Sequence, residues 1–350
     1  MVPWPAVMSA LQPPASRIAM IDDEIRAVLA SREASLAPFY GMMLYHLGLG
    51  GASAGGKRLR PLLLMLAFEA LGGEGPRALP AAAAVELLHN FTLIHDDIED
   101  HDPTRRHRPT VWSVWGVPQA INAGDGMYAA SRLAVQRLRD RGVQAERILD
   151  FTQALDAACV RVCEGQFLDI AFETRTDVTV EAYRAMVGHK TGALMSAAAQ
   201  GAAILATDDR GTREALARFG ADYGEAFQAH DDLLGIWATT ATTGKAELND
   251  LTKRKKTLPV VLAFARATPA GRERLGALFA PAAPLAEESV LQIREMLEAL
   301  EIRTALEREI AQARERALAG LRGLGLQPAA LAPLEELVRS TTGAAAGAPT

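Results

Sequence analysis

Three aspartates, Asp96, Asp97 and Asp100, stand together near the end of an apolar, helix-forming stretch that runs from Glu86 to Trp112. Residues three and four apart on a helix are neighbours, so these carboxylates gather at one end of one face. Such a cluster repels itself unless it lies on a solvated face or surrounds a cation. Because an apolar run leads into the cluster, we predict a cation. Hard oxygen ligands suit Mg²⁺, which completes its coordination shell with water and substrate phosphates.

Basic residues flank this acid cluster on both sides in the sequence. Arg105 and Arg106 follow it directly and supply the cations that a phosphate would bind once the metal is saturated. Upstream, the loop GGKRLRP places two glycines and then Lys57, Arg58 and Arg60 where a helix begins. Free backbone N–H groups, the helix dipole and these side chains predict an anion site, although this loop alone is equally consistent with a basic turn.

A second pair of adjacent acids, Asp231 and Asp232, lies in another apolar helix. Gly235 stands where a third acid would repeat the spacing of the first cluster. Downstream, Lys245 and then the run of four basic residues at 253–256 form a strongly basic loop before the next helix. Taken alone, such a run is also typical of a solvated surface.

Further polar residues, one in the helix of the first acid cluster and the rest in two other helices, are candidates for the same cavity. His89 lies two turns before the acid cluster on the same face, and it is either a core histidine or a donor to phosphate. In the stretch EGQFLD, Gln166 and Asp169 share a face, and Gly165 in a helix interior costs about 1 kcal/mol relative to Ala unless another group approaches closely. Lys190 begins a run of small residues, where it either extends to the surface or serves as a functional cation.

The elements that position these residues are helices. Nearly every segment has helical periodicity with abundant Ala, Leu, Arg and Glu, and alternating β-branched runs are absent. We predict an all-α fold, a single large antiparallel helical bundle with a central cavity, over residues 16–340. Residues 1–15 are expected to be irregular and residues 341–350 to form a disordered tail. Gly, Pro and Asp-Gly, which tend to end helices, divide the sequence into predicted helices near 17–46, 58–72, 79–101, 117–140, 145–169, 179–206, 211–238, 256–267, 285–321 and 328–340.

The bulk composition excludes several classes of protein. With 350 residues, 49% hydrophobic content and a mean hydropathy of +0.05, the chain can bury a large core and is not disordered. A net charge of −5 and a pI near 5.9 give no global attraction for nucleic acid. No apolar run reaches membrane-spanning length and no secretory leader is recognisable, so we expect a cytoplasmic protein. Cys159 and Cys163, four apart on one helix face, fit packing better than a disulfide.

Taken together and in this order, the motifs GGKRLRP, HNFTLIHDDIEDHDPTRRHRPTV, EGQFLD, GHKTG, FQAHDD and KRKKTLP resemble the trans-type isoprenyl diphosphate synthases, which are all-helical, chain-elongating prenyltransferases. The resemblance covers roughly residues 40 to 270. It implies Mg²⁺-dependent condensation of isopentenyl diphosphate with an allylic diphosphate, whether dimethylallyl, geranyl or farnesyl, with release of diphosphate. It also implies a homodimer with the helical fold of the isoprenoid synthases.

The same resemblance implies roles for individual side chains. Asp96, Asp100 and Asp231 would hold about three Mg²⁺ ions on the allylic diphosphate. Isopentenyl diphosphate would be held by Lys57, Arg60, His89 and Arg106, and the allylic clamp would be completed by Arg105, Lys190 and Lys245, with Lys255 also in the substrate-binding set. Thr191 and Gln228 would lie beside the reacting carbons, where their oxygens can stabilise positive charge without being alkylated. Asp97 and Asp232 complete the predicted catalytic set. The family's second acid cluster usually has a third Asp where Gly235 stands, so the Mg²⁺ site on that side would depend on Asp231, Asp232 and water.

Two other functions fit parts of the pattern. A class I terpene cyclase of the same fold would share the first acid cluster, but Gly235 and Ile236 stand where a Ser or Thr of its metal triad should follow Asp232. A cyclase also binds no second diphosphate, which would leave Lys57 and Arg60 without a ligand. A non-catalytic subunit would be expected to lack the acid clusters, and both are present.

Product length should depend on the side chains below the acid cluster. With a diphosphate bound at Asp96, a growing tail runs down the helix past Thr92, Phe91 and then Leu88. One helical turn rises about 5.4 Å, close to the length of one five-carbon unit, so a bulky residue one turn lower changes the product by about one unit. Among similar synthases, an aromatic residue at the position of Phe91 without an insertion in the acid motif accompanies a C20 product. Geranylgeranyl diphosphate is therefore the predicted product, with farnesyl diphosphate as the alternative.

Overall fold

The computed structural model describes residues 14–31, 33–51, 55–237, 249–279 and 285–343. Helices account for nearly all of the regular structure in these ranges, which confirms the predicted all-α class. The helices are α1 (Pro14–Val28), α2 (Ala37–Leu47), α3 (Leu59–Ala70), α4 (Gly75–Glu99), α5 (Val111–Trp115), α6 (Val117–Gln136), α7 (Ala145–Glu173), α8 (Val180–Val187), α9 (Ala193–Ala206), α10 (Arg210–Trp237), α11 (Asn249–Thr252), α12 (Leu258–Arg266), α13 (Pro269–Phe279), α14 (Glu287–Ala299), α15 (Ile302–Arg322) and α16 (Pro328–Thr342).

Three shorter elements carry or adjoin functional residues. A π-helix, Gly188–Gly192, joins α8 to α9 without a break in the chain direction. The strands β1 (Thr104–Arg105) and β2 (Arg108–Pro109) pair as an antiparallel hairpin just after the first acid cluster. The turn residues Arg106 and His107 have φ values of 52° and 60°. This left-handed conformation at both positions suits a two-residue hairpin turn, but it is strained for residues other than Gly.

The bundle is built around two apolar cores, and helices α7, α10 and α15 contribute buried residues to both. One core lies among the N-terminal helices with α9 and α16, and the other lies among α8, α12, α13, α14 and α15. Within the first core, α4 packs along α6, and α9 packs against α3, α7 and α10. The run of alanines at 81–84 in α4 is fully buried because such small side chains let neighbouring helices approach closely. These packed helices form the rigid frame for the acid-bearing end of α4.

Several predicted helix boundaries differ from the observed ones. The predicted helix 17–46 is two helices, α1 and α2, and the predicted helix 285–321 is interrupted where Glu301 adopts a φ of 53°. Helix α13 was not predicted at all. At the C-terminus, α16 runs through Thr342, so the predicted tail boundary at 341 is corrected. Thr341 is buried there and its Oγ1 lies 2.7 Å from the Tyr223 hydroxyl, which holds the last turn in place.

The predicted segments at the two ends, residues 1–15 and 341–350, lie partly outside the residues that the structure describes. Helix α1 already includes residues 14 and 15, while residues 1–13 and 344–350 lie outside the described part of the chain. In the described part, no helix is both long and apolar enough to cross a membrane.

Candidate active site

A cavity of about 1220 Å³ opens between the acid-bearing end of α4, the facing helices α7 and α10, the π-helix and the basic residues before α12. It is lined by most of the residues selected from the sequence. These are Lys57, Arg60, His89, Phe91, Thr92, Asp96, Asp100, Arg105, Arg106, Lys190, Thr191, Gln228, Asp231, Asp232 and Lys255. The structure therefore brings together side chains that are almost 200 positions apart in the sequence.

Two of the three clustered aspartates face this cavity. Burial raises the pKa of Asp96, and the nearby Lys190 offsets this only in part while Asp100 adds to it. Burial acts upward on Asp100 as well, but Lys255, Lys190 and Lys253 together hold the pKa of Asp100 below its usual value. The carboxylate of Asp100 lies 2.6 Å from the Lys255 ammonium nitrogen. Both carboxylates line the cavity wall, where a bound cation would stabilise their charged forms.

Asp97 does not line the cavity, and its predicted catalytic role is corrected. Its side chain is almost fully buried, and its Oδ1 accepts a hydrogen bond from Nε of Arg105 at 2.7 Å. Burial raises the pKa of Asp97 to about 6, although Arg105 acts to lower it. One residue further along a helix points about 100° away, which explains why adjacent aspartates separate in this way. Asp97 positions Arg105, whose side chain still reaches the cavity wall.

Both acids of the second pair line the cavity. The carboxylate of Asp232 is also held by three protein donors. Those donors are the Tyr183 hydroxyl, the Gln228 side-chain amide at 2.9 Å and the backbone N–H of Leu258 at 2.8 Å. A carboxylate that accepts three hydrogen bonds is fixed in the wall. The catalytic role predicted for Asp232 stays a prediction.

The donor chemistry fits a hard divalent cation. Among the residues that the structure describes, no three His, Cys, Asp or Glu side chains converge closely enough to hold a metal by themselves. Asp96, Asp100 and Asp231 nevertheless all present carboxylates to one cavity. Mg²⁺ is usually held by one or two carboxylates with water and substrate phosphates, rather than by a cage of protein ligands. The three aspartates would therefore hold Mg²⁺ together with a bound diphosphate.

A separate group of basic residues lies on the α3 side of the cavity. Nη1 of Arg60 donates a hydrogen bond to Nε2 of His89 at 3.0 Å, because a guanidinium has no acceptor, and this leaves the His89 proton on Nδ1. Burial, followed by Arg60 and Arg106, holds the pKa of His89 well below its usual value. Burial also lowers the pKa of Arg60 and of Arg106. Closely spaced, desolvated cations of this kind favour a multiply charged anion.

Glycine positions in the GGKRLRP loop let this basic group assemble. A Cβ on Gly56 would lie 2.8 Å from Nη1 of Arg106, so any other residue there would have to displace that guanidinium. Arg58, which was grouped with the anion site from the sequence, is instead buried and structural. Its guanidinium bonds to Asp22 at 2.7 Å and to Glu86 at 3.0 Å, and these contacts tie α1 to α4. Lys57 remains exposed at the cavity edge.

The π-helix presents Lys190 and Thr191 to the opposite side of the cavity. The Lys190 ammonium pairs with Asp169 at 2.6 Å, and the Thr191 hydroxyl donates to Oε1 of Gln228 at 2.8 Å. A Cβ on Gly165 would lie 2.3 Å from the backbone nitrogen of Lys190. The close approach expected for a glycine inside this helix is thereby confirmed: α7 and the π-helix pack backbone against backbone.

The basic loop folds onto the first acid cluster. In addition to the Lys255–Asp100 pair, the ammonium of Lys253 pairs with Asp102 and lies 3.4 Å from the carbonyl oxygen of Asp100. Lys256 turns away from the acids and bonds to the carbonyl oxygen of Glu173 at 3.0 Å. The predicted phosphate ligand Lys245 lies outside the described residues.

The predicted chain-length residues also separate. Phe91 and Thr92 line the cavity, but Leu88 is fully buried and does not, so its assignment as a deeper floor is corrected. The ring of Phe91 meets the rings of Tyr128 and His95 edge to face, at centroid distances of 5.3 Å and 5.7 Å. Such aromatic contacts hold the Phe91 ring in one orientation.

Other residues of the cavity wall were not assigned a role from the sequence. Gln166 donates to Glu99 at 2.7 Å and so bridges α7 to α4 across the cavity. Lys253, Tyr183 and Cys163 also line the cavity. Cys163 and Cys159 are free thiols, as expected from their spacing. Gln166 had been noted for its shared face with Asp169, but no sequence pattern marks Tyr183, because its contact depends on how α8 packs against α10.

Comparison with known proteins agrees with this geometry. Residues 43–297 match the polyprenyl synthetase family. A geranylgeranyl diphosphate synthase of Mycobacterium tuberculosis is 43% identical over 269 residues, covering 75% of this chain and 75% of that protein. A (2E,6E)-farnesyl diphosphate synthase of the same organism is 46% identical over 217 residues, which cover 62% of this chain and 59% of that protein. Relatives of similar identity are thus named for different product lengths.

Solved structures show the same fold. Geranylgeranyl pyrophosphate synthetase from Pyrococcus horikoshii superposes with a TM-score of 0.85 at 31% identity, covering 97% of this chain and 99% of that chain. A geranylgeranyl pyrophosphate synthase from Corynebacterium glutamicum, in complex with isoprenyl diphosphate and magnesium, gives a TM-score of 0.80 at 29% identity, over 92% of this chain and 97% of that chain.

The all-helical fold, together with a cavity lined by both acidic and basic side chains, defines a prenyltransferase of the isoprenoid synthase type. The chain belongs to the polyprenyl synthetase family, and it is a transferase of the prenyl diphosphate synthase class. The resemblance identified from the sequence is confirmed. The family uses a divalent metal ion.

Proposed function

We propose that this protein condenses isopentenyl diphosphate with an allylic diphosphate by 1′-4 addition and makes geranylgeranyl diphosphate. The observation that carries the proposal is that one cavity is lined by an acidic group and a basic group. Asp96, Asp100 and Asp231 offer a metal-dependent diphosphate site, while Arg60 and Arg106 with their neighbours offer a metal-independent one. Two diphosphate sites facing one apolar tail space suit a bimolecular condensation better than a cyclisation.

Each group of side chains has a distinct task in this reaction. When bound, Mg²⁺ supplies the positive charge that neutralises a leaving diphosphate. Lys190 and Arg105 add fixed cations on the same side, and Lys57, Arg60, His89 and Arg106 hold the diphosphate of isopentenyl diphosphate so that its double bond faces the allylic carbon. The allylic C–O bond breaks, a C–C bond forms, and the proton lost from the new chain goes to the released diphosphate. The task of the protein is to position both substrates and to stabilise charge.

The C20 product length rests on Phe91 and Thr92. Both line the cavity on α4 below Asp96, and the Phe91 ring is held in place by its aromatic neighbours. A tail that passes the small Thr92 meets the Phe91 ring next. Farnesyl diphosphate is the shorter alternative, and it would result if a rotation of the helix or a side chain on a facing helix raises the floor of the cavity.

A cytoplasmic homodimer is part of the proposal. Helices α6 and α7 each expose large apolar side chains along one face, including Leu133, Leu149, Val160 and Phe167 at 59% to 71% exposure. Exposed apolar side chains in such a concentration indicate an interaction surface. A second copy of this chain offers the same face and is the partner that we propose.

The test is an incubation of the purified full-length protein with Mg²⁺, isopentenyl diphosphate and one allylic diphosphate of the C5, C10 or C15 series. Products are dephosphorylated and separated by chromatography. Geranylgeraniol as the main product from each starter supports the proposal. Farnesol as the end product would replace the C20 assignment, and cyclic hydrocarbons formed without isopentenyl diphosphate would favour a cyclase.

A further inference from the structure

A buried tyrosine outside the predicted set lies at the start of a hydrogen-bond chain that ends in the cavity. Tyr183 of α8 is 4% exposed, and its hydroxyl donates to Oδ2 of Asp232. Burial, and next the charge of Asp232, holds the pKa of Tyr183 well above its usual value. The hydroxyl therefore remains protonated and remains a donor.

Along this chain of hydrogen bonds, the donor or acceptor role of each group is fixed by the group before it. Oδ2 of Asp232 accepts from both Tyr183 and the Leu258 backbone N–H, and Oδ1 faces the Gln228 amide at 2.9 Å. A carboxylate can only accept, so Gln228 must present its nitrogen to Asp232 and its oxygen to the other side. That oxygen lies 2.8 Å from Oγ1 of Thr191, which must then donate its only proton to it.

The consequence for Thr191 is a fixed direction of its lone pairs. Because its proton is committed to Gln228, the remaining surface of its hydroxyl oxygen is electronegative, and Thr191 lines the cavity. We propose that Tyr183 is a positioning residue that, through Asp232 and Gln228, turns the lone pairs of Thr191 toward the carbon that becomes positively charged. The inference rests on the proposed function, since it requires an allylic cation in this cavity.

The chain has the physical form of electrostatic preorganisation. Aligned hydrogen bonds polarise one another in a low-dielectric wall, and a dipole that is already oriented requires no reorganisation when charge develops. A residue of this kind acts on the transition state more than on substrate binding. Its removal should therefore lower kcat with little change in KM.

The test compares three variants of the full-length enzyme. Tyr183→Phe removes only the hydroxyl, and we expect kcat to fall about tenfold with KM for both substrates changed by less than about twofold. Tyr223→Phe is the matched control. Tyr223 is also buried, and its hydroxyl also makes one hydrogen bond, to Thr341, but it does not line the cavity. This control should lose a similar amount of thermal stability while it keeps the wild-type kcat.

The third variant reverses the direction of the hydrogen bonds between residue 232 and Thr191 without changing the size of the substituted side chain. In Asp232→Asn, the Tyr183 hydroxyl and the Leu258 N–H still need an acceptor, so the oxygen of the new side-chain amide faces them. Its nitrogen then faces Gln228, and the Gln228 amide must flip to present its oxygen. Thr191 then accepts from Gln228, and its own proton turns toward the cavity. We expect kcat to fall by about a hundredfold or more, a larger loss than in Tyr183→Phe.

A second readout reports on the developing charge itself. An allylic diphosphate with a fluorinated C3 methyl group ionises more slowly, and a site that stabilises the cation less well becomes more sensitive to that fluorine. The ratio of kcat without fluorine to kcat with fluorine should rise in Tyr183→Phe and in Asp232→Asn but not in Tyr223→Phe. If Tyr183→Phe shows the wild-type ratio and the same kcat as the control Tyr223→Phe, the inference is overturned. Absence of condensation by the wild-type enzyme would instead overturn the proposed function.

Discussion

At the scale of single residues, the acids are distinguished by what their carboxylates face. Asp96 and Asp100 face the cavity, whereas Asp97 faces Arg105. We expect Asp96→Ala or Asp100→Ala to lower turnover by about a thousandfold or more, because each would remove a proposed ligand of the metal that neutralises the leaving group. Steady-state rates across a Mg²⁺ titration measure this, and circular dichroism should show unchanged helix content.

As a control, Asp177→Ala at an exposed ion pair should retain wild-type activity. Wild-type turnover without Mg²⁺ in either active-site variant would disprove the metal assignment.

Arg60 tests the second diphosphate site at the same scale. Its guanidinium bonds to His89 and belongs to the basic group that begins at α3. Arg60→Gln should raise the KM for isopentenyl diphosphate by about tenfold or more and change the KM for the allylic substrate far less, because it removes a binding contact to one substrate only. Initial rates with each substrate varied in turn decide this. If the allylic KM rises more, the two diphosphate sites are assigned in the wrong order.

At the scale of elements, the π-helix depends on the absence of one side chain. A Cβ at Gly165 would meet the backbone of Lys190, which cannot move without displacing Thr191 as well. We expect Gly165→Ala to lower kcat by at least about tenfold and to lower the free energy of unfolding by about 1–3 kcal/mol through overpacking. Gly188→Ala is the matched control, since nothing lies within 4 Å of its added Cβ and its φ is −56°. Equal kcat in the two variants would argue against a role for this close approach.

How much of this could be predicted from the sequence follows from the range of the interactions involved. Helical periodicity and acid spacing are local, so the fold class and the cavity-facing pair Asp96 and Asp100 were predicted. The role of Asp97 was not, because a helix pattern cannot show that the hairpin returns Arg105 to it. The same limit applies to Tyr183, whose partner lies 49 positions away. The interruption before α15 depends on a positive φ at Glu301, a residue type that does not mark such a turn.

At the scale of the whole molecule, the exposed apolar face of α6 and α7 predicts self-association. Val160 is 59% exposed on that face, so a charge there would be buried in a dimer and strongly disfavoured. We expect Val160→Asp to convert a dimer to a monomer in sedimentation or light-scattering measurements. The control is Leu291→Asp on α14, where an apolar side chain is 49% exposed elsewhere on the surface. A change of mass in the control alone would place the interface on a different face.

The shape of the whole cavity decides how long the product becomes. Phe91 is the bulky side chain below Asp96 that reaches the cavity, and behind it stands Tyr128. Phe91→Ala should remove this floor and lengthen the product from C20 to C25 or beyond, because one helical turn of about 5.4 Å is close to the length of one five-carbon unit. Chromatography of the dephosphorylated products measures the shift.

The control for that shift is a second truncation on the same helix. Leu88 is as deeply buried as a core residue can be, yet it does not line the cavity. Leu88→Ala should therefore lower the free energy of unfolding by about 2–5 kcal/mol, as large-to-small core substitutions do, without changing product length. An unchanged product distribution in Phe91→Ala would mean that the floor lies on a facing helix. A longer product from Leu88→Ala would restore the deeper floor predicted from the sequence, and it would show that the tail displaces the packing between α4 and α6.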